Sequence, residues 1–292
     1  MSAEITAFFH KPSSTFSYVV SDLATRHAAV IDPVLDYDAA AGRTAVESAQ
    51  TLVDFLRRSG CTLDWILETH AHADHLSAAQ FVKGELGGRI CIGEGIRQVQ
   101  QTFKAFYNLG GECKPDGRQF DHLFKDGEIF QIGTLEARVM ATPGHTGDSV
   151  TYVIDGAVFV GDTLFMPDSG TARCDFPGCD AGTLYDSIRK ILSLPPETRL
   201  FMCHDYAPGG REYKHETTVA EQKRANIHVH DGVSRAAFIK LRTERDKTLS
   251  VPALLLPAIQ VNIRAGRLPE PEGNGVSYLR IPLNINLSNQ KS

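Results

Sequence analysis

Cysteine is scarce and dispersed in this chain. The six thiols, Cys61, Cys91, Cys113, Cys174, Cys179 and Cys203, form no CxxC pair and no dense framework. That excludes a disulfide-stapled scaffold and reads as reduced thiols in a cytoplasmic protein. An excess of basic charge is also missing: 30 Lys and Arg stand against 35 Asp and Glu, for a net charge of −5. The electrostatic footprint of a nucleic-acid binder is therefore absent. The longest apolar stretches, such as Val251 to Ile259, are interrupted by proline. They fall far short of the roughly 20 residues that a bilayer helix needs, so no membrane partner is expected. Met1 to His10 carries Glu4 and lacks a basic segment followed by an apolar one, so no secretory leader is expected. There is no internal repeat, low-complexity tract or long linker.

The chain has 292 residues, 42% hydrophobic and 22% charged, which is enough for one large globular domain with its own core. We expect a single domain over 1–292, with a C-terminal extension from about residue 215 and a polar tail at Leu287 to Ser292. Strands are predicted at Ile5 to Phe9, Ser17 to Val20 and Ala28 to Asp32. A helix follows, with Thr44 and Glu47 as a capping box, an apolar face of Val46, Ala49, Leu52, Val53 and Leu56, and Gly60 as its stop. Further helices are predicted over Ser77 to Leu86, through Ile96 to Phe106, and through Leu184 to Leu192. Asp155-Gly156 between two apolar runs predicts a tight hairpin. Locally paired strands alternating with helices predict a layered α/β sandwich rather than a doubly wound sheet.

The densest chemistry is Thr69-His70-Ala71-His72-Ala73-Asp74-His75, directly after a predicted strand at Trp65 to Glu68. A solvated polar turn is the plain alternative. Three histidines and an aspartate so close together, however, are costly to bury unless a divalent metal serves them all. Three more strands end on the same residue types: Ala137 to Thr142 delivers His145, Val158 to Gly161 delivers Asp162, and Leu200 to Cys203 delivers His204 and Asp205. Strand ends of one sheet edge converge, and that convergence predicts a metal site.

These motifs, THAHADH with TPGHT, GDTLF and CHDY, resemble the metallo-β-lactamase superfamily over residues 69 to 206. The resemblance implies an α/β fold of a particular kind, a four-layer αβ/βα sandwich with its site at one edge. The fold alone does not choose a reaction. Ser169-Gly170-Thr171-Ala172-Arg173-Cys174-Asp175-Phe176-Pro177-Gly178, Thr183-Leu184-Tyr185 and His204-Asp205-Tyr206 are similar to the bacterial branch of the persulfide dioxygenases, as is the stretch Leu256 to Asn262. That resemblance implies one Fe(II) on His70, His145 and Asp162, with His72, Asp74, His75 and His204 as an outer shell. Zinc can occupy the same ligands. The implied reaction oxidises glutathione persulfide, or a related persulfide, with O2 to sulfite and free thiol, in a cytoplasmic homodimer.

Arg173 corresponds to an arginine that contacts the glutathione moiety in that family; an ion pair with Asp175 is its structural alternative. Tyr206 either donates into the open side of the site or packs as its wall. The family loop has a second glycine where this chain has Cys179, which puts Cys174 and Cys179 on one loop as candidate reactive thiols. The other enzymatic reading is a two-metal thioester hydrolase of the glyoxalase II type. There His70, His72 and His145 would hold one metal, Asp74, His75 and His204 the other, and Asp162 would bridge them.

Overall fold

The computed structural model describes residues 3–284, so the polar tail expected at Leu287 to Ser292 lies outside the described residues. The first half of the chain builds β1 (Glu4–His10), β2 (Thr15–Asp22), β3 (His27–Ile31), β4 (Val34–Asp38), β5 (Arg43–Ala45) and α1 (Glu47–Ser59). It continues through β6 (Thr62–Leu67), β7 (Leu76–Ser77), α2 (Ala79–Leu86), β8 (Arg89–Gly93), α3 (Ile96–Phe106) and β9 (His122–Phe124). Six of these strands form one sheet in the order β1-β2-β3-β6-β8-β9. Its first pairs are antiparallel, and β3 to β9 run parallel.

The second half supplies β10 (Ile129–Ile132), β11 (Leu135–Ala141), β12 (Val150–Ile154), β13 (Ala157–Phe159), α4 (Ala181–Ile191), β14 (Arg199–Phe201) and β15 (Glu216–Thr218). These strands form the second sheet in sequence order. Three helices close the chain: α5 (Val219–Ala225), α6 (Arg235–Asp246) and α7 (Leu255–Asn262).

Three apolar clusters set the layers. Between the sheets, Tyr18, Leu67 and Phe124 of the first face Ala137, Tyr152 and Phe159 of the second. On the outer side of the first sheet, Leu52, Val53 and Leu56 of α1 and Ile259 of α7 cover Val30 and Ile66. Leu184 and Ile188 of α4 and Phe238 of α6 cover Val158 and Leu200 of the second. Helix, sheet, sheet and helix give the expected αβ/βα sandwich. The chain beyond 215 is built into these layers: β15 pairs with β14, and α6 lies against α4.

Several local expectations hold. Gly60 ends α1 in a left-handed conformation with φ of 66°. Asp155 and Gly156 both take positive φ, 47° and 81°, and join β12 to β13 through the Ile154–Ala157 pair. The capping box at α1 does not form. Thr44 lies in β5 and the residue before the helix is Val46, which is 38% exposed and off the apolar face. The cap comes from another strand instead: Asp36 on β4 accepts from the Ser48 N–H at 2.9 Å and from its hydroxyl at 2.6 Å. β4, β5 and β7 were not foreseen, and they form a small three-stranded sheet of their own.

Candidate metal centre

The loops leaving β6, β11, β13 and β14 meet at one edge of the sandwich. His70 Nε2 lies 3.8 Å and His145 Nε2 3.6 Å from the same Asp162 oxygen, and donor atoms of the three residues all lie within 4.8 Å of one another. His204 Nε2 lies 3.3 Å from the other Asp162 oxygen and 3.5 Å from Asp74. His72, Asp74 and His75 form an adjoining group. All seven residues of the expected ligand and outer-shell set are thus brought together.

Each imidazole has one nitrogen engaged by an acceptor, which leaves a lone pair on the other. His145 Nδ1 donates to the Arg173 carbonyl at 2.8 Å, and His204 Nδ1 to the Ser14 carbonyl at 3.2 Å. His75 Nδ1 meets Asp74 at 3.2 Å, and His72 Nε2 meets Asp32 at 3.0 Å. Thr69 donates its hydroxyl to Asp32 at 2.8 Å, so its oxygen accepts from His70 Nδ1 at 3.0 Å. The opposite nitrogens of His70, His72, His75 and His204, together with Asp162 Oδ1, are buried with no hydrogen-bond partner. Five buried, unpartnered acceptors on one cluster of loops would be a heavy cost without a cation. The donor set therefore fits a divalent metal held by nitrogen and carboxylate oxygen.

The electrostatics agree. Burial holds the His70 and His72 imidazoles well below their ordinary range, so they are neutral donors near pH 7. Burial opposes charge on His204 too, but the Asp162 and Asp74 carboxylates outweigh it and raise that group. A cation is what these carboxylates favour.

Two carboxylates that the sequence reading missed lie beneath the histidines. Asp32 takes the Thr69 N–H and hydroxyl as well as His72. Glu68 lies 3.7 Å from His72, and burial and the Asp32 charge push it well above the usual carboxylate range. Both follow strand ends, at β3 and β6, which is the signal that pointed to the other ligands. Asp148 braces the loop as well, accepting the Ala71 N–H at 2.9 Å.

A cavity of about 350 Å³ opens beside the triad, with Asp162, His145, Phe165, Arg173, Phe176 and Tyr206 among its lining residues. Tyr206 is 55% exposed and stacks on His204 at 5.9 Å, as a wall residue does. Arg173 takes its structural alternative. Its guanidinium grips Asp175 at 2.6 and 2.7 Å and the Ser250 carbonyl at 2.6 Å, while its backbone carbonyl accepts from His145 Nδ1. Arg245, which the sequence reading did not single out, lines the same cavity and has no ion-pair partner among the described residues. Burial pushes the Cys179 thiol up to about 12 and that of Cys174 higher still, which disfavours the thiolate of both candidate thiols.

The cavity wall at 169–173 hangs on His228. Its Nδ1 accepts the Thr171 N–H at 3.0 Å, and burial, with Arg242 and Arg245 nearby, lowers it from 6.5 to about 4. A histidine lowered on folding binds its proton first in the unfolded chain. Stability is therefore full above pH 6.5 and falls as pH drops from 6.5 toward 4. We predict that the protein loses about 2 kcal/mol between pH 7 and pH 4.5 that His228→Asn does not lose. Urea unfolding of both proteins at the two pH values checks it, and parallel slopes would contradict it.

Comparison with known proteins places this arrangement. The model of the metallo-beta-lactamase superfamily matches residues 10–204. A probable metallo-hydrolase of Burkholderia pseudomallei is 52% identical over 96% of this chain and 98% of its own length. Glyoxylase B2 of Dictyostelium discoideum is 50% identical over 97% of each chain. Persulfide dioxygenase ETHE1 of Homo sapiens is more distant, at 29% identity over 88% of this chain and 87% of its own. The crystal structure of ETHE1 from Myxococcus xanthus is similar with a TM-score of 0.71 and 30% identity, covering 90% of this chain and 100% of that one. With its sandwich, its edge site and a family match over two thirds of its length, this chain belongs to the metallo-β-lactamase superfamily.

Proposed function

We propose that this chain is a persulfide dioxygenase using one iron per chain, held by His70, His145 and Asp162. The observation that carries the reading is the converging set itself, two imidazoles and one carboxylate beside an open cavity. Such a set would hold Fe(II) through three ligands only, and the metal would supply there the capacity to bring sulfur and O2 to reaction. Similarity to ETHE1 along the whole of the Myxococcus chain supports it.

When bound, iron supplies the redox chemistry that joins O2 to sulfur. A persulfide, O2 and water give a thiol and sulfite: the terminal sulfur loses four electrons, O2 gains them, and water provides the third sulfite oxygen. The chain's own residues hold and screen the reactants. Phe165, Phe176 and Tyr206 wall the cavity and limit water. The carbonyl of Arg173 fixes the ring of His145. Arg245 offers the free guanidinium fork that a substrate carboxylate needs, since Arg173 is committed to Asp175. We predict that Arg245→Ala raises KM for glutathione persulfide about tenfold, the loss of one charge-assisted hydrogen bond, with kcat nearly unchanged. Steady-state kinetics check this, and an unchanged KM would remove Arg245 from the binding site.

A second reading has its own support. The relatives near 50% identity are named as a metallo-hydrolase and a glyoxylase, which favours a hydrolase over a dioxygenase. In that reading the free nitrogen of His72 would join His70 and His145 on one metal, and those of His75 and His204 would serve a second with Asp74, Asp162 bridging the two. A two-metal site would add water across a glutathione thioester, giving an acid and a thiol without O2. Metal analysis of anaerobically purified protein tests the two. One iron per chain is the result the dioxygenase reading expects. Two metals per chain, with thioester cleavage under argon, would establish the hydrolase instead.

A further inference from the structure

The His-rich loop is gripped by a residue far outside the family match. Asn262 is the last residue of α7 and is 4% exposed. Its Nδ2 donates to the His72 and His75 carbonyls, each at 2.8 Å, and its Oδ1 accepts the Ser77 N–H at 2.8 Å. Both N–H groups and the oxygen of one carboxamide are thus committed to one loop. The Ser77 hydroxyl in turn donates to Glu68, tying the far side of the loop to its start. The chain just beyond α7 presses on the same place: a Cβ on Gly266, whose φ is +79°, would meet the Ser77 carbonyl oxygen at 2.8 Å.

We propose that Asn262 is a positioning residue for the metal centre. By holding the carbonyls of His72 and His75 it fixes the backbone that carries both side chains, so that their free nitrogens stay aimed at the site. Residues 69–75 have no helix or strand of their own to hold that shape. A metal tolerates ligand displacements of only about 0.5 Å, so the loop needs such a brace. Docking of α7 in general is a different task, and Gln260 serves it. Its amide bonds the Leu256 and Arg280 carbonyls and the Arg280 N–H, and none of its hydrogen bonds among the described residues reaches the loop. The inference rests on the loop holding metal and not on which reaction follows. An absence of O2 uptake would overturn the function proposed above and leave this untouched.

The test is cobalt(II) binding to metal-free protein, followed by titration and by visible absorption. Asn262→Asp keeps the shape and the acceptor for Ser77 but turns lone pairs toward both carbonyls. It should weaken cobalt binding about 10- to 100-fold, as loss of outer-shell support does, and change the d–d absorption. Gln260→Leu should lower Tm while leaving affinity and spectrum unchanged. Wild-type affinity and spectrum in folded Asn262→Asp would overturn the proposal. So would an equal loss of affinity in Gln260→Leu, because simple helix docking would then explain both. Should Asn262→Asp not fold, Asn262→Ser, whose short hydroxyl can reach one carbonyl at most, is read the same way.

Discussion

Asp162→Ala should purify almost free of metal and lose activity by more than about 100-fold, beyond what outer-shell changes typically cost. Asp162 presents its two oxygens to imidazoles on both sides: His70 and His145 on one, His204 on the other. Removing it takes away the charge that offsets a divalent cation and leaves the surrounding imidazoles unpaired. The variant should still fold, because the sheets that carry the loops are packed by the large apolar clusters and not by the site. It should lose the extra thermal stability that metal gives the parent protein, which follows mass action in free metal. Metal analysis and thermal unfolding with and without added iron check both statements. A full metal complement in the variant would remove Asp162 from the site.

The second large effect is expected away from the ligand cluster. Arg242 is almost wholly buried on α6 and pairs with Asp246, itself 5% exposed, at 2.6 Å. It also donates to the Thr171 carbonyl at 3.0 Å, while Asp246 accepts the Cys174 N–H at 2.8 Å. This pair therefore clamps both flanks of Arg173, whose carbonyl orients His145. Breaking a buried pair from one side strands the other charge and costs about 3–5 kcal/mol. Arg242→Leu should lower Tm by roughly 10 °C. It should also reduce metal affinity through the freed His145 ring. Calorimetry and metal titration measure the two effects. A Tm within about 2 °C of the parent would show that the pair contributes little. The double change Arg242→Leu with Asp246→Leu should recover much of the loss, because no charge is then stranded.

The site was more legible in the sequence than its supports. His70, His145, Asp162 and His204 could be read because each follows a strand whose apolar run is plain, and strand ends of one sheet edge meet. Asp32 and Glu68 obey the same rule but were passed over, since single carboxylates after strands carry no motif. Asn262 and Arg242 had no readable signal at all. Each reaches the site loops through residues more than 70 positions away, which only the folded layers bring together, and the local Arg242–Asp246 pair looks like any helical ion pair. The layered sandwich followed from local pairing and helix periodicity. Strand β4 and the trans cap from Asp36 did not, because a cap supplied by another strand looks like no box in the sequence. Arg173 shows a converse limit: the residue type suits a substrate carboxylate, yet Asp175, two residues away, already satisfies it.

Oxidation of sulfur at this site is measured most directly by oxygen uptake. Iron-loaded protein given glutathione persulfide in an oxygen electrode should consume one O2 for each sulfite formed. Uptake should stop in Asp162→Ala. An iron-loaded sample that consumes no oxygen with the persulfide, while cleaving a glutathione thioester, would contradict the account and leave the hydrolase in its place.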